Sequence, residues 1–205
     1  RSSDGAKSWT AVNTGLLHDV PDGKVPRFRS MALCESRAEM LYLSSSNDRV
    51  ARQDTTLWLY GVFKSENAGD SWKPSWLANG TGYLTENFTQ GWLDDEWGPG
   101  WGGNPIALGV APQNPDICIG TDAGRSYKTV DGGRTWRQIH SKKNSDGTFS
   151  TKGLNVTTCY GVHFDPYDPK HLFISYTDIG LFHSYDGGKR WSHSLDGVPR
   201  GWTNT

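Results

Sequence analysis

The stretch from Trp76 to Gly103 gathers the groups best suited to hold a polyhydroxylated ligand: Trp76, Tyr83, Trp92, Asp94, Asp95, Glu96, Trp97 and Trp101. Indole faces stack on sugar rings, and neighbouring carboxylates accept hydrogen bonds from sugar hydroxyls. A second constellation is a pair of matching segments, Thr121-Asp122-Ala-Gly124 and Thr177-Asp178-Ile-Gly180. Asp also suits such turns on backbone grounds alone, so each of these acids has a structural reading beside the chemical one. The same holds in the long stretch, where a Trp can pin a loop and an acid can simply be solvated.

Composition narrows the classes. The 205 residues carry 21 basic and 22 acidic side chains, a net charge of −1, which gives no electrostatic reason to expect nucleic acid or an anionic membrane. No apolar run approaches the ~20 residues of a membrane helix, and no charged-then-apolar leader stands at Arg1, so any export signal is expected to have been removed. Cys34, Cys118 and Cys159 lack metal-ligand spacing, and no metal or cofactor is expected. All three lie in apolar strand-like runs, which favours buried free thiols over one disulfide. Three acceptor patterns for N-glycosylation begin at Asn79, Asn87 and Asn155 and fit a secreted protein. The unusual counts are 25 Gly and 10 Trp, which call for many turns and for large cores or an aromatic binding surface.

The elements that must position these residues are legible in a repeat. Ser65-Glu-Asn67-Ala-Gly69-Asp-Ser-Trp72, Thr129-Val-Asp131-Gly-Gly133-Arg-Thr-Trp136 and Ser184-Tyr-Asp186-Gly-Gly188-Lys-Arg-Trp191 share one pattern, and Ser2-Ser-Asp4-Gly-Ala6-Lys-Ser-Trp9 departs from it only at Ala6. The Asp or Asn is expected to accept hydrogen bonds from amides one or two residues on. The glycine takes a left-handed conformation that a Cβ resists. Trp9, Trp72, Trp136 and Trp191 then start the next strand and plug the space between sheets. Upstream, Pro-bounded turns and apolar runs such as Ile117-Cys-Ile-Gly and Leu172-Phe-Ile-Ser-Tyr complete four antiparallel strands per repeat, which predicts an all-β propeller. The blades fall at about 28–76, 104–140 and 158–194, with half a blade at 1–12.

These residues resemble the Asp-box, or BNR-repeat, proteins, which include sialidases, xyloglucanases, sortilin-type receptors and a photosystem assembly factor. The resemblance covers nearly the whole chain and is specific for fold rather than function. It implies a partial β-propeller of four-stranded antiparallel blades with Asp-box hairpins. Residues 195–205 are expected to lead into a further blade, because Gly201-Trp-Thr-Asn-Thr205 parallels Leu154-Asn-Val-Thr-Thr158. Completion by a second chain or a symmetry mate is expected, since open sheets leave unpaired strands.

The turns between second and third strands, and the long links Thr14–Arg27, Trp76–Gly103 and His140–Thr157, are expected at the end of the sheets opposite the repeat turns. Elaborate loops on one end of a rigid scaffold are where binding and catalysis usually sit. Segments like those of Asp122 and Asp178 carry the catalytic aspartates of xyloglucanases, although Arg125 and Leu181 stand here where a second glycine would follow. The resemblance therefore implies a secreted, extracellular or periplasmic glycoside hydrolase acting on a polysaccharide or oligosaccharide. Asp178 and Asp122 are its first catalytic candidates, sharing acid and base work on a glycosidic bond, with Asp94, Asp95 and Glu96 after them. Trp92, Trp97, Trp101, Tyr176, Arg49 and Arg52 are candidates for substrate binding. A sialidase would need an arginine triad, for which Arg27, Arg29, Arg49, Arg52 and Arg125 are available. A polysaccharide lyase would need a Tyr or His base, for which Tyr160, His163, Tyr176 and His18 are available. The alternative to an enzyme is a non-catalytic scaffold binding protein or peptide on the same loops, as sortilin-like or assembly-factor-like propellers do.

Overall fold

The structure, a computed structural model, describes residues 1–16, 27–52, 55–79, 87–89, 91–97, 107–122, 124–152, 159–177 and 179–197, with backbone alone at 27, 46–52, 55–60, 77–79, 96–97 and 159–160. It divides into two units, Arg1–Gln138 and Ile139–Thr205.

In the first unit, β1 (Arg27–Cys34), β2 (Arg37–Arg52), β3 (Thr55–Ser65) and β4 (Lys73–Asn79) form one antiparallel sheet in chain order. The second sheet adds a short strand from the preceding link. β5 (Phe88–Thr89) pairs in parallel with the last of four antiparallel strands, and α1 (Trp92–Trp97) follows β5 in the same link. Those four strands are β6 (Ala107–Ala111), β7 (Asn114–Thr121), β8 (Ser126–Thr129) and β9 (Trp136–Gln138). In the second unit, a hairpin of β10 (Ser141–Lys143) and β11 (Phe149–Thr151) precedes a four-stranded antiparallel sheet. That sheet consists of β12 (Cys159–Phe164), β13 (Leu172–Tyr176), β14 (Gly180–Ser184) and β15 (Ser192–His193). The fold class is all-β, a partial β-propeller of four-stranded antiparallel blades whose third and fourth strands are joined by the repeat turns. No helix among the described residues is long and apolar enough to cross a membrane.

Strand alternation places the core of the first unit between its two sheets. Tyr42, Val62 and Trp76 of the first sheet bury against Cys118, Tyr127 and Trp136 of the second, with Phe88, Leu108 and Val110 at the margin. The Trp76 ring centre lies 4.6 Å from Tyr127 and 5.7 Å from Trp136. Burying each such side chain stabilises the unit by about 1.5–3 kcal/mol. A second cluster joins Leu16 to Leu41, Phe63 and Trp72. Cys34 and Cys118 are buried free thiols, and burial pushes the Cys118 thiol up to about 12.

Each repeat turn is held by the same bonds. The Ser or Thr hydroxyl donates to the Asp or Asn side chain at 2.8, 3.0, 2.9 and 2.9 Å, for Asp4, Asn67, Asp131 and Asp186 in turn. That hydroxyl oxygen accepts the amides two and four residues on, as Thr129 Oγ1 does from Asp131 at 3.3 Å and from Gly133 at 2.9 Å. The acid or amide accepts from residues three and four on, from Lys7 and Ser8, Ser71, Thr135, and Lys189 and Arg190, rather than one or two on. Of the nearer amides, the second is taken by the hydroxyl, and the first, at Ala68, Gly132 and Gly187, donates to the carbonyls of Glu39, Asp116 and Lys170. Two successive left-handed residues bend each turn, such as Gly132 (φ 72°) and Gly133 (φ 84°), and Ala68 adopts φ 55° in a position where the other copies have glycine.

The hydroxyl and amide of Ser8, with Ser2, hold Asp4 down to about 2. Slight burial would raise Asp131, but Thr135 and Thr129 outweigh it and hold that carboxyl at about 2 as well. A carboxylate depressed in the folded state stabilises fully above its unfolded pKa and loses that contribution as pH falls through the folded one. The contribution of these two carboxylates to the urea unfolding midpoint should therefore be complete above pH ~4 and be lost between ~4 and ~2, with Asp131→Asn flattening part of that fall. An unchanged acid profile in that variant would contradict the assignment.

Two expectations about these turns change. Trp72 and Trp136 are 6% and 0% exposed and Trp191 is half-buried, but Trp9 is 73% exposed. The first turn forms all its bonds, yet residues 1–16 contribute no strand, so the Trp9 indole has no sheet to lie on. The links, moreover, do not stay at the opposite end of the sheets. Carbonyls of Thr14, Asn87 and Phe149 accept the amides of Trp72, Trp136 and Trp191 at 2.8, 2.7 and 2.9 Å. Each link thus reaches the repeat turn and covers the start of an exposed edge strand, whose N–H groups would otherwise lack partners.

Candidate functional site

The turn from β7 to β8 is built by its acid. Asp122 Oδ1 accepts the amides of Gly124 at 3.1 Å and Arg125 at 2.8 Å, and the Asp122 amide donates to the Arg125 carbonyl at 3.1 Å. This folds Arg125 back over the turn. Its Nε donates to Asp122 Oδ2 at 2.7 Å, Nη2 lies 2.6 Å from the same oxygen, and Nη1 donates to Asp94 Oδ1 at 2.6 Å. Asp94 lies on α1 and also accepts Tyr127 Oη at 2.8 Å and the Gly91 amide at 2.7 Å.

The side chains of Arg125, Asp94 and Asp122 are 0% exposed. A carboxylate withdrawn from water this far is tolerable only when paired and fully hydrogen-bonded. Burial works against the charge on Arg125, but Tyr127, Asp122 and Asp94 around it raise its pKa, so the guanidinium stays protonated. Burial likewise raises the pKa of Tyr127, which remains a neutral phenol and donates to Asp94. The cluster acts as a clamp, fixing α1 of the long link to the turn between the second and third strands.

The clamp separates the acids that sequence placed together. Asp94 is buried and ion-paired, whereas Asp95, the next residue on α1, is exposed. Trp92 is half-buried at the start of the helix, and Glu96 and Trp97 lie on it as backbone. Of the catalytic pair, Asp122 has both oxygens engaged, while Asp178 lies outside the described residues, as does Trp101. Arg49 and Arg52 sit on β2 opposite Trp58 and Thr55. Tyr176 ends β13 with its ring edge-to-face on Phe182 at 5.7 Å. Arg27 and Arg29 are on β1 and His163 is exposed on β12, while His18 lies outside the described residues. Among the described residues, no group of three or more His, Cys, Asp or Glu could hold a metal ion.

Arg125 is the residue whose role sequence reasoning missed. It stands where a second glycine would follow the Asp, three residues after Asp122, which places an Arg within reach of the acid that makes the turn. Asp94 as its other partner had no local signal, being 31 residues away in sequence.

No protein-family model matches the chain, and no curated protein sequence does. Among solved structures, the chain is similar to a GH74 enzyme of Niastella koreensis, with 19% identity, a TM-score of 0.34, and 81% of this chain and 22% of that chain covered. It is also similar to the GH74 xyloglucanase of Xanthomonas campestris, with 16% identity, a TM-score of 0.32, and 85% and 24% covered. YCF48 bound to D1 peptide gives 15% identity, a TM-score of 0.34, and 86% and 69% covered. The chain thus spans less than a quarter of each GH74 enzyme's length. Likeness at these identities and TM-scores says nothing of this chain's activity.

Proposed function

We propose that the chain is part of a secreted, carbohydrate-active β-propeller of the Asp-box kind, a glycoside hydrolase that binds a polysaccharide over the end of the sheets where second strands turn into third. The observation that carries this reading is the Arg125 clamp, which plants a helix bearing Trp92, Asp95, Glu96 and Trp97 at that end of the second sheet. Aromatic and acidic residue types on one anchored helix are what stacking on sugar rings and bonding to hydroxyls require. Asp94 and Asp122 then position the helix, and the proposed acid–base work in the first unit falls to Asp95 and Glu96, with Asp178 of the second unit a separate catalytic candidate. Further blades are proposed to come from a second chain or a symmetry mate.

A second reading has a specific observation in its favour. Two of the five candidate acids are closed off from any substrate by Arg125, which suits a scaffold that binds a peptide on the same loops without catalysis. A panel of plant and microbial polysaccharides separates the two, read by affinity electrophoresis and by release of reducing ends. The hydrolase reading expects retention and turnover, with Asp95→Asn or Glu96→Gln lowering turnover at least ~100-fold and Trp92→Ala weakening retention about tenfold. Neither retention nor turnover with any polysaccharide would rule it out.

A further inference from the structure

The Asn87-Phe88-Thr89 segment reads as an acceptor for N-glycosylation, yet each of its residues is already engaged in the fold. Asn87 Nδ2 donates to the Ser75 carbonyl of β4, and it also lies 3.2 Å from the Arg134 carbonyl and 3.4 Å from the Gly133 carbonyl of the repeat turn. Three carbonyl oxygens converging on one atom identify it as the amide nitrogen, since an oxygen there would be repelled by all of them. Asn87 Oδ1 is buried and has no hydrogen-bond partner among the described residues, which hold the side chain by its nitrogen. Phe88 packs edge-to-face on Trp76 at 5.6 Å and on Tyr127 at 5.5 Å. Thr89 Oγ1 accepts the Gln138 amide at 3.2 Å, and the Asn87 carbonyl accepts the Trp136 amide at 2.7 Å.

We infer that Asn87 is a latch and not an acceptor: its amide nitrogen ties the link to both sheets of the first unit, so glycosylation and folding compete for the same atom. Transfer of an oligosaccharide from a lipid diphosphate breaks the C1–O bond and forms C1–Nδ2, with one Nδ2 proton leaving to the departing phosphate. That would leave a single N–H among three carbonyls and place a sugar carbon where they converge. The segment carries the acceptor pattern because an amide donor, an aromatic plug and a hydroxyl acceptor are needed at three successive positions.

The test has two arms. The chain is expressed through a eukaryotic secretory pathway, and the folded, soluble fraction is mapped at Asn87 by enzymatic deglycosylation in heavy-oxygen water. Occupancy below about a tenth is expected, with any glycan confined to retained, misfolded material. In unglycosylated protein from bacteria, Asn87→Asp replaces the donor with an oxygen of nearly the same shape and should lower Tm by about 5 °C or more, or prevent folding. Folded protein with Asn87 occupied in half of the molecules or more, or Asn87→Asp with unchanged Tm, overturns the inference.

Discussion

Replacing Arg125 with Met should destabilise the first unit by about 3–5 kcal/mol, the cost of leaving buried charge uncompensated. The methionine fills much of the same volume, so the loss comes from Asp94 and Asp122, whose carboxylates stay out of water with their cation removed. Tyr127 and the Gly91 amide still donate to Asp94, and the Gly124 and Arg125 amides still donate to Asp122, so the cost falls short of that for bare ions. Arg125→Lys should fall between the parent and the Met variant, because one ammonium cannot span both carboxylates as the guanidinium fork does. Urea unfolding at pH 7 of the Met variant, of Asp94→Asn and of the two together gives the coupling directly. A loss below about 1 kcal/mol at pH 7 would show that the clamp does not hold α1, and the platform proposed for glycan binding would lose its anchor.

Replacing Gly133 with Ala should cost about 3 kcal/mol from two separable causes. Its φ of 84° strains any residue with a Cβ by roughly 1–2 kcal/mol. The added Cβ would also overlap Ser75 Oγ, with Ser75 Cβ at 3.2 Å and the Tyr42 ring at 3.5 Å, which is overpacking worth about 1–3 kcal/mol. Ser75 cannot move aside without breaking its bond to the Gly133 carbonyl and the one it accepts from the Trp136 indole. Gly187 offers the comparison. It has φ 75°, and a Cβ added there would meet nothing within 4 Å, so Gly187→Ala should show the backbone cost alone, about 1 kcal/mol. Thermal unfolding of the two variants should therefore differ, and adding Ser75→Gly to Gly133→Ala should recover the steric part. Equal losses at both glycines would mean that the two sheets are not joined through this turn.

The repeat turns were legible in sequence because the side-chain bonds that shape them, from the Ser or Thr hydroxyl and the Asp or Asn, are local. Ser or Thr, Asp or Asn and the left-handed pair all lie within five residues, so residue type and spacing determine the geometry. The apolar runs around Tyr42 and Cys118 likewise marked strands, although they did not show which face of each strand is buried. Other features were not legible, because they depend on residues distant in sequence. No local signal showed that the link would return to the repeat turn and pair through Asn87, or that Phe88 and Thr89 would add a parallel strand. Nor did the run Asp94-Asp95-Glu96 reveal that its first acid would be buried and its second exposed. Trp9 lies in as good a repeat as Trp72, yet a neighbouring sheet, which no repeat can guarantee, decides whether the indole is covered. By itself the sequence determined the repeat turns, the strands they join and the all-β class, since these follow from short-range sterics and hydrogen bonds. Tertiary structure alone decided which acid of that run is buried and which exposed, because that depends on Arg125 reaching a carboxylate far away along the chain.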